Sequence, residues 1–231
     1  MCRQLTERSP ALWLTNSHER GDVLAVLLVG SAARGNAMAT SDVDLLTVVS
    51  GAGARGQGPR ALRDGYLVET FAKTQAQWEE RFRRPRPMWI YSFLEAAVLH
   101  NTGPAARLRS AAQSAYEDYE TPEELREELA TTLRHGEPKL RRALQAGDEQ
   151  AGCWASVFLP GMLDGLYAIH DRPPPAGSRR LDLLHTLPLS AKERRHVNVS
   201  CTGSADERLS AIAALYEMLT QRLGPPNLER R

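Results

Sequence analysis

The chain has 231 residues, of which 42% are hydrophobic and 25% charged. This composition is typical of a folded protein with one large domain or two of ordinary size, and it excludes an intrinsically disordered chain. The formal net charge is +1, from 29 basic and 28 acidic residues, so no general electrostatic attraction to nucleic acid or to an anionic membrane is expected.

The cysteines and the apolar runs indicate the cellular compartment of the protein. Cys2, Cys153 and Cys201 lie far apart and form no Cys-x-x-Cys pair, so neither a zinc ribbon nor a disulfide framework is expected. The apolar run over residues 23–29 is too short to span a bilayer, and the charged N-terminus does not look like a signal peptide. We therefore expect a cytoplasmic protein with no membrane contact.

The first half of the chain has apolar runs of strand length between glycine-rich turns. These runs predict β-strands, and the segment after the Thr-Gly-Pro turn predicts a helix. The expected strands cover residues 23–29, 43–49, 66–72 and about 96–100, and the expected helix covers about 104–116.

The second half has helical periodicity. Capping-box sequences begin at Thr121, Ser190 and Ser204, and apolar residues follow at helical spacing until Gly224. The sequence therefore predicts an α+β protein. A domain that contains the sheet covers residues 1–118, and an all-α helical bundle covers residues 119–231.

The end of the first strand offers groups that can bind an anion. Gly30-Ser31 follows the apolar run, and Arg34 comes one helical turn later. Backbone N–H groups at a helix start, a serine hydroxyl and an arginine can all bind phosphate oxygens. Turns also use Gly and Ser for backbone reasons alone, so this signal needs a second one.

The second signal is a set of acidic residues in apolar strands. Asp42 and Asp44 are two residues apart, so their side chains point to one face of the second strand, and Glu69 shares strand parity with Phe71. Buried carboxylates are costly unless a partner compensates them, and oxygen ligands without His or Cys favour Mg²⁺ or Mn²⁺. A polar strand start would explain Asp42, but it explains Asp44 poorly.

These residues resemble those of the DNA polymerase β-like nucleotidyltransferase superfamily. Gly30-Ser31, ten residues, Asp42-Val-Asp44 and a later strand with Glu69 match its pattern, and they are similar to the bacterial antibiotic nucleotidyltransferases. The resemblance is good over residues 23–72. It departs from the family at His100-Asn101, where members often carry an aspartate.

The resemblance implies a mixed sheet and a Mg²⁺-dependent transfer of a nucleoside monophosphate from an NTP, with release of pyrophosphate. ATP is the expected nucleotide and two Mg²⁺ ions are expected, with Mn²⁺ as an alternative. Asp42, Asp44 and Glu69 would be the catalytic metal ligands, and Glu69 is also a candidate general base. Gly30, Ser31 and Arg34 would bind the nucleotide.

The helical half resembles the domain fused behind such catalytic domains. On that resemblance Arg179 or Arg180 would reach a triphosphate, and Asp164 would face the acceptor, although Asp164 is equally well explained as a buried partner between helices. Glu123, Glu124, Glu127 and Glu128 would suit a cationic acceptor, but a solvated first helical turn explains them more simply.

The acceptor is the least determined part of the prediction. An aminoglycoside-type antibiotic or another small hydroxylated molecule is the preferred acceptor, which would make the protein an antibiotic-resistance enzyme. The alternatives are an antitoxin-like enzyme that adenylylates a protein and a nucleotide-binding or partner-binding module without turnover. The sequence leaves open whether two chains combine as a homodimer to build one site.

A basic and aromatic segment follows the third strand. It carries four arginines at positions 81, 83, 84 and 86 beside Trp78, Trp89 and Tyr91. Such a combination can stack on nucleic acid. The neutral charge balance and the local prolines favour a solvated loop or an interdomain surface instead.

Overall fold

The structure is a computed structural model, and it describes residues 22–38, 40–51, 61–63, 65–83, 86–146, 151–177 and 179–224. The chain divides into two compact units, Met1–Asp118 and Tyr119–Arg231. The first unit contains the sheet and the second is helical. The predicted α+β class is confirmed.

The sheet of the first unit has five strands in the order β3-β4-β2-β1-β5. Strand β2 pairs in parallel with β4, and the other neighbours pair antiparallel, so the sheet is mixed as expected. The strands are β1 (Val23–Val29), β2 (Val43–Val49), β3 (Ala61–Arg63), β4 (Tyr66–Thr74) and β5 (Ala97–Asn101).

Helices cover both faces of this sheet. On one face, Leu27 and Leu46 pack with Trp78, Phe93 and Leu108. These three residues come from α2 (Gln75–Arg83), α3 (Pro87–Leu94) and α4 (Pro104–Glu117), respectively. On the other face, Ala32 of the short helix α1 (Gly30–Ala33) packs with alternate residues of the same strands. The strands are apolar on both parities because both of their faces are buried.

The second unit is built from helices, three of which follow the predicted capping-box sequences. They are α5 (Glu123–Ala146), α6 (Ala151–Ala168), α7 (Arg179–Asp182), α8 (Ala191–Thr202) and α9 (Ala205–Leu223), with a 3₁₀ turn at Leu184–Thr186. The capping boxes at Ser190 and Ser204 are both formed, and Gly224, with a φ of 76°, follows the last helix. Thr121 precedes α5, and its hydroxyl donates to the carbonyl of Ala168.

Two further expectations concern the whole chain. Cys153 and Cys201 are free, exposed thiols, and Cys2 lies outside the described residues. None of the helices in the described ranges has both the length and the apolar character that a membrane span requires.

Candidate functional site

The structure brings together the three acidic residues that the sequence singled out. Asp42, Asp44 and Glu69 each offer one carboxylate oxygen, and these oxygens all lie within 4.8 Å of one another. Asp42 is exposed, Asp44 is partly buried, and Glu69 is only 7% exposed. The site therefore extends from the surface to a buried carboxylate.

Strand pairing explains this convergence. In the parallel pairing of β2 with β4, Asp44 lies directly beside Glu69, just as Leu46 lies beside Phe71 two residues later. All four side chains have the same parity, and the two apolar ones pack into the core under the helices. Asp42 precedes the first residue of β2, so the acids gather where that strand begins.

Gly30 makes room for one of these carboxylates. It directly follows Val29, whose register partner across the sheet is Asp44. A Cβ at position 30 would lie only 2.6 Å from the Oδ2 atom of Asp44, and the φ of Gly30 is +69°. Glycine is therefore required at this position for both space and backbone conformation.

The carboxylate cluster fits a divalent cation. Carboxylates this close repel one another unless positive charge lies between them. Oxygen ligands bind Mg²⁺ or Ca²⁺ at about 2.0–2.6 Å, so ligands of one ion lie within roughly 5 Å of each other. The mutual distances of up to 4.8 Å meet this requirement.

The expected phosphate-binding residues begin beside this cluster. Ser31 is in α1, and its hydroxyl makes no hydrogen bond to any other described residue. Arg34 follows α1, and its guanidinium forms an ion pair with Glu95, with 3.1 Å between Nη1 and Oε2. The Nε atom of Arg34 is buried and has no hydrogen-bond partner within the described part of the chain.

Sequence reasoning missed Glu95. It is the acid that follows the apolar helix α3, and it lies 61 residues after Arg34 in the chain. A single acid at the end of such an apolar helix is a recognisable signal, but only the fold pairs it with Arg34. Since both side chains are about one-quarter exposed, the pair can hold the arginine in position.

Two of the predicted residues of the second unit, Asp164 and Arg180, line a pocket within that unit. The pocket has a volume of about 210 Å³, and Asp164, Arg180 and Leu129 are among its lining residues. The carboxylate of Asp164 lies 3.0 Å from Nε of Arg180. Burial raises the pKa of Asp164, and the charge of Arg180 opposes this rise. Arg179 instead pairs with Asp182 at 3.3 Å.

The roles of these three residues remain predictions. The ion pair of Asp164 on α6 with Arg180 on α7 fits the interpretation of Asp164 as a partner between helices. This ion pair does not test a contact of Asp164 with an acceptor. The same holds for Arg179 and Arg180 as triphosphate ligands, because each already has a carboxylate partner within the second unit.

One comparison with known proteins covers the stretch that contains the three acids. Residues 13–98 match the family model described as a nucleotidyltransferase domain, and this range includes all three acids. The part of the chain that contains the site is therefore similar to domains that use nucleoside triphosphates in transfer reactions. A search of curated proteins finds no significant match.

A crystal structure with a distant likeness is among the solved structures that match. It is the crystal structure of a nucleotidyltransferase-like protein from Exiguobacterium sibiricum 255-15, with a TM-score of 0.43 and 9% sequence identity. The alignment covers 93% of this chain and 74% of that chain. A likeness this weak has no bearing on substrate or mechanism.

Proposed function

We propose that this protein is a Mg²⁺-dependent nucleotidyltransferase that transfers AMP from ATP to a hydroxyl group of a small acceptor. The acceptor that we propose is an aminoglycoside-type molecule, and the second product is pyrophosphate. The observation that carries the proposal is the convergence of three carboxylates within 4.8 Å inside a stretch that matches a nucleotidyltransferase domain.

The reaction makes one bond and breaks one. The acceptor oxygen attacks the α-phosphorus of ATP, and the bond from that phosphorus to the bridging oxygen breaks, so pyrophosphate leaves with the bonding electrons. The hydroxyl proton must go to a base, and we assign this role to Glu69. Its buried position on β4 beside Asp44 holds the carboxylate in a fixed place.

Asp42 and Asp44 are the proposed metal ligands, with Glu69 as the third carboxylate of the cluster. When bound there, Mg²⁺ supplies positive charge to the phosphate oxygens and to the attacking and leaving oxygens. The contribution of the protein is to hold these carboxylates together before the substrate arrives. Gly30 serves this purpose because its missing side chain lets the Asp44 carboxylate approach the backbone.

Phosphate binding is assigned to the segment that follows β1. The unengaged hydroxyl of Ser31 and the backbone N–H groups of α1 are hydrogen-bond donors next to the cluster. Arg34 adds positive charge, and its pairing with Glu95 restricts the guanidinium to one region. This arrangement supports binding of the β- and γ-phosphates of ATP.

The acceptor class rests on local sequence alone. Gly30-Ser31-Ala-Ala-Arg-Gly and Ser41-Asp42-Val-Asp-Leu are similar to segments of antibiotic nucleotidyltransferases. A protein acceptor is the alternative that the experiment must address.

The test is acceptor-dependent release of pyrophosphate. Purified protein is incubated with Mg²⁺, each of the four NTPs in turn, and a panel of aminoglycosides and other hydroxylated antibiotics. We expect release with ATP and an aminoglycoside, and loss of about a hundredfold to a thousandfold in kcat for Asp44→Asn, as for removal of a charge-stabilising group in a transfer reaction. Asp206→Asn, at an exposed acid of α9, is the matched control and should retain activity.

The other outcomes are equally informative. Binding of Mg²⁺ and ATP without release for any acceptor on the panel would overturn the small-molecule acceptor and favour a protein acceptor. Absence of both ATP binding and pyrophosphate release would overturn the transferase itself. Equal loss of activity in Asp44→Asn and Asp206→Asn would show that the carboxylate cluster is not the catalytic site.

A further inference from the structure

A basic groove lies in the first unit around the end of β4 and the helix α2. Its volume is about 450 Å³, and it is lined by Lys73, Gln77, Glu80, Arg81 and Arg86. Lys73 is near the end of β4, the next three residues are on α2, and Arg86 immediately precedes α3. One stretch of the chain, residues 73–86, therefore brings three cationic side chains to one concave surface.

The side chains in the groove are almost entirely hydrogen-bond donors. The amide oxygen of Gln77 already accepts a hydrogen bond from the N–H of Thr74 at 3.0 Å, so its NH₂ group is the end that remains available. The single carboxylate, Glu80, accepts from Arg83 at 2.7 Å, so its charge is compensated from outside the groove. What faces solvent is a set of donors with a net positive charge.

Two of the three cations of the groove, Arg81 and Arg86, are available to a ligand. Lys73 lies over the ring of Trp78, with 5.9 Å between Nζ and the ring centroid. Within the described ranges, neither Arg81 nor Arg86 takes part in an ion pair or a hydrogen bond of its side chain. Cations in a concave surface concentrate the electric field there, and like charges this close are stabilised by a bound anion.

The groove is separate from the proposed catalytic site. Glu69 and Lys73 are four residues apart on β4, which corresponds to roughly 13 Å along the strand. The helices α2 and α3, the first of which contributes to the groove, pack on this sheet face. A ligand held at the groove would therefore leave the carboxylate cluster accessible.

We propose that this groove is a binding site for a small phosphorylated anion with several charges, such as a free phosphate chain or the phosphate chain of a nucleotide. Guanidinium groups bind phosphate oxygens through paired N–H donors, and the ammonium of Lys73 adds a point charge. This site does not depend on the proposed transferase activity.

The experiment is a calorimetric titration of the full-length protein with inorganic tripolyphosphate. EDTA is present throughout, so that the carboxylate cluster cannot bind phosphate through a metal, and the ionic strength is about 0.15 M. We expect one tripolyphosphate per chain. Arg81→Gln and Arg86→Gln should each weaken binding by about tenfold or more, as is usual for a lost charge-assisted hydrogen bond.

Two further variants separate a site from general charge. Glu80→Gln removes the only acid of the groove and should tighten binding severalfold. Arg142→Gln, at an exposed arginine of α5, removes the same charge as Arg81→Gln but should change the affinity by less than about twofold. Unfolding midpoints of all variants, measured in parallel, show that the exposed substitutions leave the fold intact.

A parallel titration with ATP identifies the source of the phosphate chain. Equal affinity for ATP and tripolyphosphate would show recognition of the chain alone, and tighter binding of ATP would show that the nucleoside contributes. Absence of binding up to about 1 mM, or equal weakening in Arg142→Gln and Arg81→Gln, would overturn the proposal. Tighter binding of a single-stranded oligonucleotide than of tripolyphosphate, at equal phosphate concentration, would replace it with a nucleic-acid surface.

Discussion

The carboxylate cluster depends on a close approach between a backbone and a side chain. Gly30 has a φ of +69°, and a Cβ there would meet the Oδ2 atom of Asp44 at 2.6 Å. Gly35 has a similar φ of +80°, but nothing lies within 4 Å of its Cβ position. A comparison of substitutions at these two glycines therefore separates the cost of backbone strain from the effect of displacing a metal ligand.

We expect Gly30→Ala to weaken divalent-metal binding by at least about tenfold, because the new methyl group pushes Asp44 away from the other acids. Both Gly30→Ala and Gly35→Ala should lower the free energy of unfolding by about 1–3 kcal/mol, since alanine is strained at positive φ. Titration with Mn²⁺ gives the affinity, and urea unfolding gives the stability. Equal metal affinity in the two variants would contradict this account of Gly30.

The sequence predicted the acidic residues of the site but not their immediate surroundings. Asp44 and Glu69 stood out because a carboxylate in an apolar strand is unfavourable without a partner. The contact between Gly30 and Asp44 depends on the pairing of β1 with β2, and that between Arg34 and Glu95 joins distant parts of the chain. No local pattern contains such information.

Among the helices, Tyr216 of α9 decides how closely its neighbours can pack. Its hydroxyl donates to the carbonyl of Phe158 at 3.0 Å. A Cβ at Gly136 of α5 would meet its ring at 2.7 Å, and a Cβ at Gly161 of α6 would meet its hydroxyl at 2.7 Å. These glycines lie inside helices, where alanine would otherwise be preferred.

We expect Gly136→Ala and Gly161→Ala to lower the free energy of unfolding by about 1–3 kcal/mol, because the tyrosine ring must move. Gly152→Ala is the matched control, since its Cβ would meet only the Cβ of Ala205 at 3.8 Å. That substitution should instead raise stability by up to about 1 kcal/mol through helix propensity. Chemical denaturation measures all three, and stabilisation by Gly161→Ala would contradict the packing argument.

Asp171, which follows α6, forms hydrogen bonds with residues at the start of α5. Its carboxylate accepts from the N–H of Thr121 at 2.8 Å and from the guanidinium of Arg126. Burial acts to raise the pKa of Asp171, but these hydrogen bonds and the charge of Arg126 outweigh it and lower the pKa. Asp171 itself has a φ of 48°, which asparagine also tolerates.

Because the pKa of Asp171 is lower in the folded state, its charge stabilises the protein above the unfolded-state pKa of about 3.9. That contribution is lost as the pH falls through the folded-state pKa. We expect Asp171→Asn to cost less than about 1 kcal/mol at pH 7, since this half-exposed pair is screened by water. The difference from wild type should be fully present above about pH 3.9 and should shrink as the pH falls through the folded-state pKa. Urea unfolding at pH 7 and at a series of acidic pH values is the measurement, and a constant difference would contradict it.

The two central strands were more predictable than the short elements. The expectation of a solvated loop or an interdomain surface around Trp78 and Trp89 was wrong, because this segment forms α2 and α3 and buries both tryptophans against the sheet. The predicted strands at 23–29 and 43–49 coincide with β1 and β2, and β4 extends the predicted strand to Thr74. The three-residue strand β3 was not predicted, because it is too short to show alternation and pairs only through β4. Its presence depends on its neighbour rather than on its own sequence.

At the scale of the whole molecule, each unit has its own apolar core. The buried cluster around Met162 and Leu219 belongs entirely to the second unit, and the clusters on the two faces of the sheet belong entirely to the first. Trp78 and Trp89 lie in the core of the first unit, whereas Trp154 packs against the core of the second. Tryptophan fluorescence can therefore report on each unit.

We expect Mg²⁺ to stabilise the first unit alone, because its proposed ligands are all there. At a Mg²⁺ concentration about 100 times the dissociation constant, the gain is about 2.7 kcal/mol, which raises the unfolding midpoint of a domain of about 100 residues by roughly 10–20 °C. Calorimetry should show two transitions, only one of which moves, and the fluorescence of a Trp154→Phe variant should follow that one. Asp44→Asn should abolish the shift. A single transition that Mg²⁺ leaves unmoved would contradict both the metal site and the independent unfolding of the two units.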